Sequence, residues 1–142
     1  MPIRRELRWF YPIDWPLISR RVRFERARGR CEACDRPHAA LLTQLPDGRW
    51  WDETTGRWRD DAGQPAAWPD IVEFTAAATR RFFLGTAHLD HDPQNSNLRN
   101  LRALCQRCHL RHDRDEHLRR RRRNRLRRRA LGDLFHGPYT AW

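Results

Sequence analysis

The sequence has no long run of apolar residues and contains no lysine. The first absence leaves no candidate for a membrane-spanning helix or a signal peptide, so we expect a soluble, cytoplasmic protein without a membrane partner. The second absence means that all 29 basic residues are arginines, and the 142 residues carry a net charge of +11. Such an excess of positive charge predicts a polyanionic partner, and nucleic acid is the expected one. The oligomeric state is left open.

Cysteine is scarce as well, with four residues arranged as two C-x-x-C pairs. Disulfides are not expected inside a cell, and a redox motif would need only one pair. The pattern instead predicts a structural zinc ion bound by four thiolates. Its binding free energy, about 10–16 kcal/mol, exceeds the roughly 4 kcal/mol that closing the long intervening loop costs. The predicted ligands are Cys31, Cys34, Cys105 and Cys108.

The N-terminal segment, residues 1–30, is predicted to contain a helix over residues 16–28. Trp15, Ile18 and Val22 recur at helical spacing. Pro16 suits the first turn of such a helix and Gly29 suits its end. We expect this helix to act as scaffold.

Residues 40–80 are interpreted as an insertion of short β-hairpins, because the turn signals at residues 46–48 and 55–56 are flanked by aromatic residues. Trp50, Trp51 and Trp58 could stack on nucleic-acid bases. The favoured interpretation is that they fill a small apolar face of the insertion. The following residues 71–85 fit either a helix or a strand.

The stretch HLDHDPQNSNLRNLRALCQRCH, residues 88–109, concentrates polar and metal-binding side chains. A strand is predicted over residues 81–91, ending at Asp92-Pro93 because proline lacks an N–H donor and restricts the preceding residue. A short strand at residues 101–104 and a helix follow, so the predicted order is strand, loop, strand, helix.

Two kinds of metal ligand lie close together in this stretch. Consecutive helical residues point about 100° apart, so Cys108 can face the zinc ion while His109 faces a second, open metal site with Asp90. The alternative is that Asp90, Asn95 and Asn97 only cap turns of the loop.

In order, HLDHDP at residues 88–93, Asn100-Leu101, and LCQRCH at residues 104–109 resemble the HNH endonuclease family. The paired cysteines resemble its zinc-stapled branch, and residues 11–34 resemble the lead-in of bacterial and phage members. The resemblance covers roughly residues 11–34 and 82–117. It implies an α+β fold with a ββα-metal core at residues 82–117, a four-cysteine structural zinc, an N-terminal helix and a small hairpin insertion, all within a single nuclease domain, residues 1–142.

The resemblance also implies roles for individual residues. His91 matches the general base that takes a proton from the attacking water, and Asn100 matches the asparagine that braces the loop. Asp90 and His109 match ligands of a catalytic divalent metal, which would be Mg²⁺, Mn²⁺, Ni²⁺ or Zn²⁺. The implied reaction is hydrolysis of phosphodiester bonds in DNA, double-stranded and with little sequence specificity, leaving a 5′-phosphate and a 3′-hydroxyl.

Several histidines remain open. Strand alternation places Asp90 and His91 on opposite faces unless the strand breaks there, and His88 is the substitute ligand if it does not. His112 and Asp113 follow on the helical face of His109. They are either further ligands, phosphate contacts or orienting partners of His109, or a solvated surface pair. The residues predicted to lie on the surface without a role are His38, His117 and His136.

The C-terminal extension, residues 118–142, contains nine arginines in eleven residues. We expect these arginines to hold nucleic acid without reading its sequence; the alternative is a solvated, self-repelling helix. Leu131, Leu134 and Phe135 are expected to fold back on the core. A zinc-stapled nucleic-acid-binding module without catalysis and an RNA-directed protein remain the rival functions. The predicted phosphate-binding arginines are Arg119, Arg120, Arg121, Arg122, Arg123, Arg125, Arg127, Arg128 and Arg129.

Overall fold

The computed structural model describes residue 3 and residues 5–129. The chain divides into two compact units, residues 1–109 and 110–142. Helices and antiparallel sheet are mixed in the first unit, so the predicted α+β class is confirmed. The predictions for residues 131–136 lie outside the described residues.

The N-terminal segment is helical but not one continuous α-helix. A 3-10 helix, Arg5–Phe10, precedes α1, Trp15–Arg20, which has a proline in its first turn. The chain then widens into a π-helix, Arg21–Arg26. The single helix predicted for residues 16–28 is therefore wrong in its pitch and its end. Gly29 follows in the left-handed region at φ +71°, which a glycine adopts without steric cost.

The packed face of this segment is the predicted one. Val22 is buried and packs with Leu101 and Ala103, and the half-buried Trp15 and Ile18 lie against the same cluster. The helical spacing of Trp15, Ile18 and Val22 therefore brings these side chains against a strand of the core.

The insertion forms a four-stranded antiparallel sheet with the strand order β3-β2-β1-β4. Trp50 and Trp58 are buried, so the interpretation of these two rings as apolar filling is confirmed. Trp51 is half-buried and packs against Trp58 and Trp68. The strands are β1 Leu41–Gln44, β2 Trp50–Asp52, β3 Arg57–Arg59 and β4 Ala78–Arg81.

The segment that fitted either a helix or a strand contains both. Asp70 caps the start of helix α2, Ile71–Thr75. Its side chain accepts the Glu73 N–H, and the Glu73 side chain accepts the Asp70 N–H. This capping box satisfies donors that the start of a short helix leaves open. Strand β4 follows three residues later.

Two further strands contain or border the polar stretch at residues 88–109. Strand β5, Leu84–His88, pairs antiparallel with β6, Leu101–Cys105, and helix α3, Gln106–His112, begins directly after β6. The predicted strand over residues 81–91 is wrong at both ends. Its last three residues form a turn, in which the His91 N–H reaches the His88 carbonyl at 3.2 Å and His91 has φ +61°.

The first C-x-x-C turn lies against β6. Glu32 donates its N–H to the Ala103 carbonyl at 2.9 Å, and its carboxylate accepts the Ala103 N–H at 2.6 Å. Arg26 binds the same carboxylate and also donates to the Leu101 carbonyl. Hydrogen bonds within the chain thus bring the two cysteine pairs together, in addition to any shared metal.

In the second unit, α4 spans Arg114–Arg129 and contains the arginine run. The helix predicted after residues 101–104 is followed by a second one, since α3 ends at His112 and α4 starts two residues later. Among the described helices, none combines the length and the apolar character needed to cross a membrane.

Candidate functional site

Four cysteines from two distant parts of the sequence meet in the core of the first unit. All four are buried, and their sulfur atoms all lie within 4.8 Å of one another. The Cys34 and Cys105 sulfurs are 3.6 Å apart. Four sulfurs placed tetrahedrally about 2.3 Å from a zinc ion would be about 3.8 Å apart. The tetracysteine cluster, Cys31, Cys34, Cys105 and Cys108, could therefore hold a metal ion such as zinc.

Each pair is held by a sharp change of backbone direction. Asp35 closes the first turn, with its N–H on the Cys31 carbonyl at 2.8 Å and φ +62°. Cys105 is the last residue of β6, and Cys108 lies in the first turn of α3. The Cys105 N–H donates to the Cys31 sulfur at 3.2 Å. Hydrogen bonding from Cys108 is the largest of the effects that lower the pKa of Cys105.

A partly buried ion-pair network lies beside the cluster, and no sequence pattern predicted it. Arg36, two residues after Cys34, is completely buried and donates to Asp61 at 3.0 Å and to the Gly48 carbonyl at 2.8 Å. Arg107, between the second pair of cysteines, binds the other oxygen of Asp61. Burial alone would raise the pKa of Asp61, but the hydrogen bonds from Arg107 and Arg36 outweigh it and lower that pKa. Asp61 therefore joins the insertion to both cysteine pairs.

Between β5 and β6, a polar loop of residues 89–100 is organised around Asp90. Asn100 donates its side-chain amide to Asp90 Oδ1 at 2.8 Å, and its own amide oxygen accepts the Asp90 N–H at 3.2 Å. Asn95 donates to Asp90 Oδ2 at 2.7 Å, and the Asp92 N–H reaches Oδ1. These bonds, that of Asn100 first, lower the pKa of Asp90 to about 2. The carboxylate is thus ionised and exposed at neutral pH.

The hydrogen bonds of the loop confirm that Asp90, Asn95 and Asn97 cap its turns. Asp90 caps Asp92, the Asn95 oxygen accepts the Asn97 N–H, and the Asn97 oxygen accepts the Arg99 N–H. Turn capping does not exclude metal binding, because a carboxylate has about four lone-pair sites and Asp90 uses three of them here.

His91 follows Asp90 outside the strand. The backbone turn at this residue removes the obstacle that strand alternation would have raised, since neither Asp90 nor His91 has to follow the pleat. Its side chain is exposed. A positive φ is uncommon for residues other than glycine and occurs most often at asparagine, aspartate and histidine.

His109 lies in α3 directly after Cys108 and packs over β5. A Cβ atom added to Gly85 would lie 3.4 Å from the His109 Nδ1 atom. The glycine therefore leaves the space that the imidazole occupies. A single strand position thus determines how closely the histidine approaches the sheet.

His88, predicted as the substitute ligand, is held by aromatic rings. Its imidazole stacks on Trp15 with ring centroids 5.0 Å apart and meets the edge of Tyr11 at 5.6 Å. Burial is the largest influence and lowers its pKa, Asp90 acts in the opposite direction, and His109 lowers it further. His88 is thus within electrostatic reach of both predicted ligands, and its contacts indicate a packing role.

Asp90, His91 and His109 do not form a second group as tight as the cysteines among the described residues of the first unit. A nuclease site does not require that tightness, since the base acts through a water molecule and need not bind the metal. The donor types of Asp90 and His109, a carboxylate oxygen and an imidazole nitrogen, suit Mg²⁺, Mn²⁺, Ni²⁺ and Zn²⁺.

The remaining histidine predictions have mixed outcomes. His38 is not a plain surface residue: its Nδ1 accepts the Leu84 N–H at 3.0 Å, and its ring meets the edges of Phe24 and Phe83. His112 ends α3 and Asp113 follows it, while His117 lies in α4. The roles considered for His112 and Asp113 stay predictions.

The chain matches no protein-family model, no curated protein and no solved structure. Its function must therefore be argued from the tetracysteine cluster, the polar loop and the arginine-rich helix themselves.

Proposed function

We propose that this chain is a metal-dependent endonuclease of the HNH type that hydrolyses phosphodiester bonds in DNA. The observation that carries the proposal is the mutual hydrogen bonding of Asp90 and Asn100 in the loop between β5 and β6. It fixes an ionised carboxylate next in sequence to an exposed imidazole. His109 lies in α3, the helix that follows β6. The resemblance to HNH proteins assigns these same positions to metal binding, loop bracing and proton transfer.

In this proposal His91 accepts the proton of the attacking water at an imidazole nitrogen. Imidazole suits the step because it changes charge near neutral pH. The left-handed backbone at His91 presents the side chain to solvent instead of returning it to the sheet. Asn100 fixes the conformation of the loop through its hydrogen bonds, and it thereby fixes the position of His91.

Asp90 and His109 are the residues that would hold a catalytic divalent cation. When bound, such a cation stabilises negative charge on the phosphate and on the departing oxygen. Asp90 contributes a carboxylate that is ionised well below neutral pH, so it needs to release no proton at the working pH. Gly85 leaves the space that the His109 imidazole occupies.

The metal of the tetracysteine cluster is proposed to be zinc with a structural role. Four buried sulfurs provide a closed, tetrahedral set of soft ligands and leave no position for a substrate. The proposal separates the two sites by their chemistry: thiolates hold the fold, and an oxygen and a nitrogen ligand serve the reaction.

DNA is proposed to bind through arginines of the second unit. The described side chains of α4 are mostly exposed, and the arginine run within the helix has one asparagine and one leucine as its only interruptions. Each phosphate contact should steepen the log–log salt dependence of affinity by about 0.9. Arginines on a helix without a base-reading pattern favour binding to many sequences.

Cleavage of plasmid DNA by the purified full chain tests the activity. The wild type should cut with added Mg²⁺, Mn²⁺ or Ni²⁺, and the His91→Ala variant should bind DNA, keep one zinc ion and lose cleavage. His117→Ala is the matched control and should cut like the wild type. Undiminished cutting by His91→Ala would refute the assignment of the base.

A non-catalytic zinc-stapled nucleic-acid-binding module is the second candidate. One observation favours it: three hydrogen bonds already occupy the Asp90 carboxylate, as a purely structural loop would require. It predicts DNA binding without cutting under every divalent ion. Parallel assays with single-stranded RNA separate an RNA-directed protein from both.

A further inference from the structure

The side chain of Arg36 is a buried cation at the edge of the tetracysteine cluster. It has no exposed surface, and its Nη2 atom serves Asp61 and the Gly48 carbonyl. The central carbon of the guanidinium lies 5.4 Å from the Trp50 ring centroid and 5.2 Å from that of Phe82. These rings belong to the same core cluster as the four cysteines.

Two donor nitrogens of this guanidinium, Nε and Nη1, are buried and have no hydrogen-bond partner among the described residues. A buried donor without an acceptor is unfavourable, and more so when it carries charge. A completely buried arginine should therefore have an acceptor for these hydrogens. The Cys34 sulfur is the candidate, because Cys34 lies two residues earlier and its sulfur is part of the cluster.

The negative charge of metal-bound thiolates also favours a contact between Arg36 and the Cys34 sulfur. Four thiolates around a divalent cation carry a formal net charge of about −2, and such a charge is costly in a buried setting unless a cation compensates it. Asp61 is a single carboxylate shared by Arg36 and Arg107.

We infer that Arg36 is a positioning residue of the metal centre: it donates its remaining N–H groups to the Cys34 sulfur and offsets part of the negative charge of the metal-bound thiolates. The inference rests on the proposed zinc site. It goes beyond that site by assigning to a residue outside the C-x-x-C pairs a share in metal affinity and in the electronic state of one sulfur. Asp61 and the Gly48 carbonyl orient the guanidinium for this task.

Metal affinity is the first test. Full-length wild type, Arg36→Met, Arg36→Lys and Arg107→Met are loaded with one zinc ion and titrated with a chromophoric chelator. Loss of an outer hydrogen-bond partner typically weakens metal binding about 10- to 100-fold, and we expect a loss of that size for Arg36→Met. Arg36→Lys should recover part of it. Arg107→Met, which removes the other arginine on Asp61, should bind zinc much as the wild type does.

A spectroscopic test distinguishes this role from a merely structural one. In the cobalt-substituted proteins, the sulfur-to-cobalt charge-transfer band should shift in Arg36→Met and stay in place in Arg107→Met. A residue that only fills the core would lower the stability of the fold without moving the band. Unchanged zinc affinity together with an unchanged band in folded Arg36→Met would overturn the inference.

The wild type provides a test that does not depend on whether a variant folds. When it is loaded with NMR-active cadmium, the Nε–H or Nη1–H proton of Arg36 should show scalar coupling to the metal through the hydrogen bond to sulfur. Absence of coupling at both protons would overturn the inference even if Arg36→Met fails to fold. A wild type that binds neither zinc nor cadmium would overturn the zinc site as well, whereas a metal-loaded wild type without the coupling would leave that site standing.

Discussion

Asn100 holds Asp90 by two atoms at once: the Asn100 amide nitrogen lies 2.8 Å from Asp90 Oδ1, and the Asn100 amide oxygen lies 3.2 Å from the Asp90 backbone nitrogen. Residues ten positions apart thereby close the loop between β5 and β6. The same amide nitrogen also reaches the Asn95 carbonyl at 2.8 Å, so one side chain ties three points of the loop.

Replacing Asn100 by alanine should raise the pKa of Asp90 from about 2 toward the ordinary value of about 3.9. The pKa of Asp90 is lower in the folded than in the unfolded chain, so the ionised carboxylate stabilises the fold above about pH 4, and this stabilisation is lost as the pH falls through about 2. The difference in stability between wild type and variant should therefore shrink across that window. NMR titration of the Asp90 carboxyl carbon measures the shift. Asn97→Ala is the control, and an unchanged titration in Asn100→Ala would contradict the role of the amide.

Two substitutions at His91 separate its backbone from its imidazole. Glycine relieves the positive φ of 61° and alanine does not, so His91→Gly should be more stable than His91→Ala by about 1 kcal/mol. Both variants should lose DNA cleavage, because both lack the imidazole proposed as the general base. Chemical denaturation and plasmid cutting measure the two effects. Cleavage retained in His91→Gly would show that the imidazole is not needed.

Valine at Gly85 should displace His109, because the position of a Cβ atom there is already 3.4 Å from Nδ1 and the branched side chain extends further. We expect Gly85→Val to lower cleavage while the tetracysteine cluster keeps its zinc ion, and Gly85→Ala to do less. The double-mutant cycle with His109→Ala checks the route of the effect. If Gly85→Val lowers the residual activity of His109→Ala as much as that of the wild type, the two residues do not act together.

Asp61→Asn should cost about 3 kcal/mol of unfolding free energy, since it leaves Arg36 buried without its carboxylate. The figure is taken at the lower end of the range for buried pairs because Asp61 itself is 24% exposed. Asp47→Asn is the matched control: Asp47 pairs with Arg49 at the surface, and we expect a loss below about 1 kcal/mol. Equal losses in denaturant titrations of the two variants would contradict the buried role of Asp61.

Local patterns predicted the parts of the site that depend on neighbours in sequence. The two C-x-x-C spacings predicted the tetracysteine cluster. Asp92-Pro93 placed the end of β5 three residues too late, because the strand ends at His88. The early end follows from the turn at His91, where an uncommon backbone conformation overrides strand propensity.

Contacts between distant residues were not predictable in the same way. Asp61 meets Arg36 and Arg107 across 25 and 46 residues, and no periodicity relates these positions. His38 was misjudged for the same reason, because its partner is the backbone N–H of Leu84 and a backbone partner leaves no mark on composition. The π-helix after α1 likewise shares its hydrophobic spacing with an ordinary α-helix.

Leu41 and Arg81 are paired partners across β1 and β4, and the Ala39 N–H meets the Phe82 carbonyl just outside them. The insertion thus begins and ends at neighbouring positions, beside the part of the first unit that contains the four cysteines. Segments of other lengths could be grafted between these two points without altering the spacing of the cysteines. Any such graft would have to keep a tryptophan at the place of Trp50, which is buried in the core, and a carboxylate at the place of Asp61, which binds Arg36.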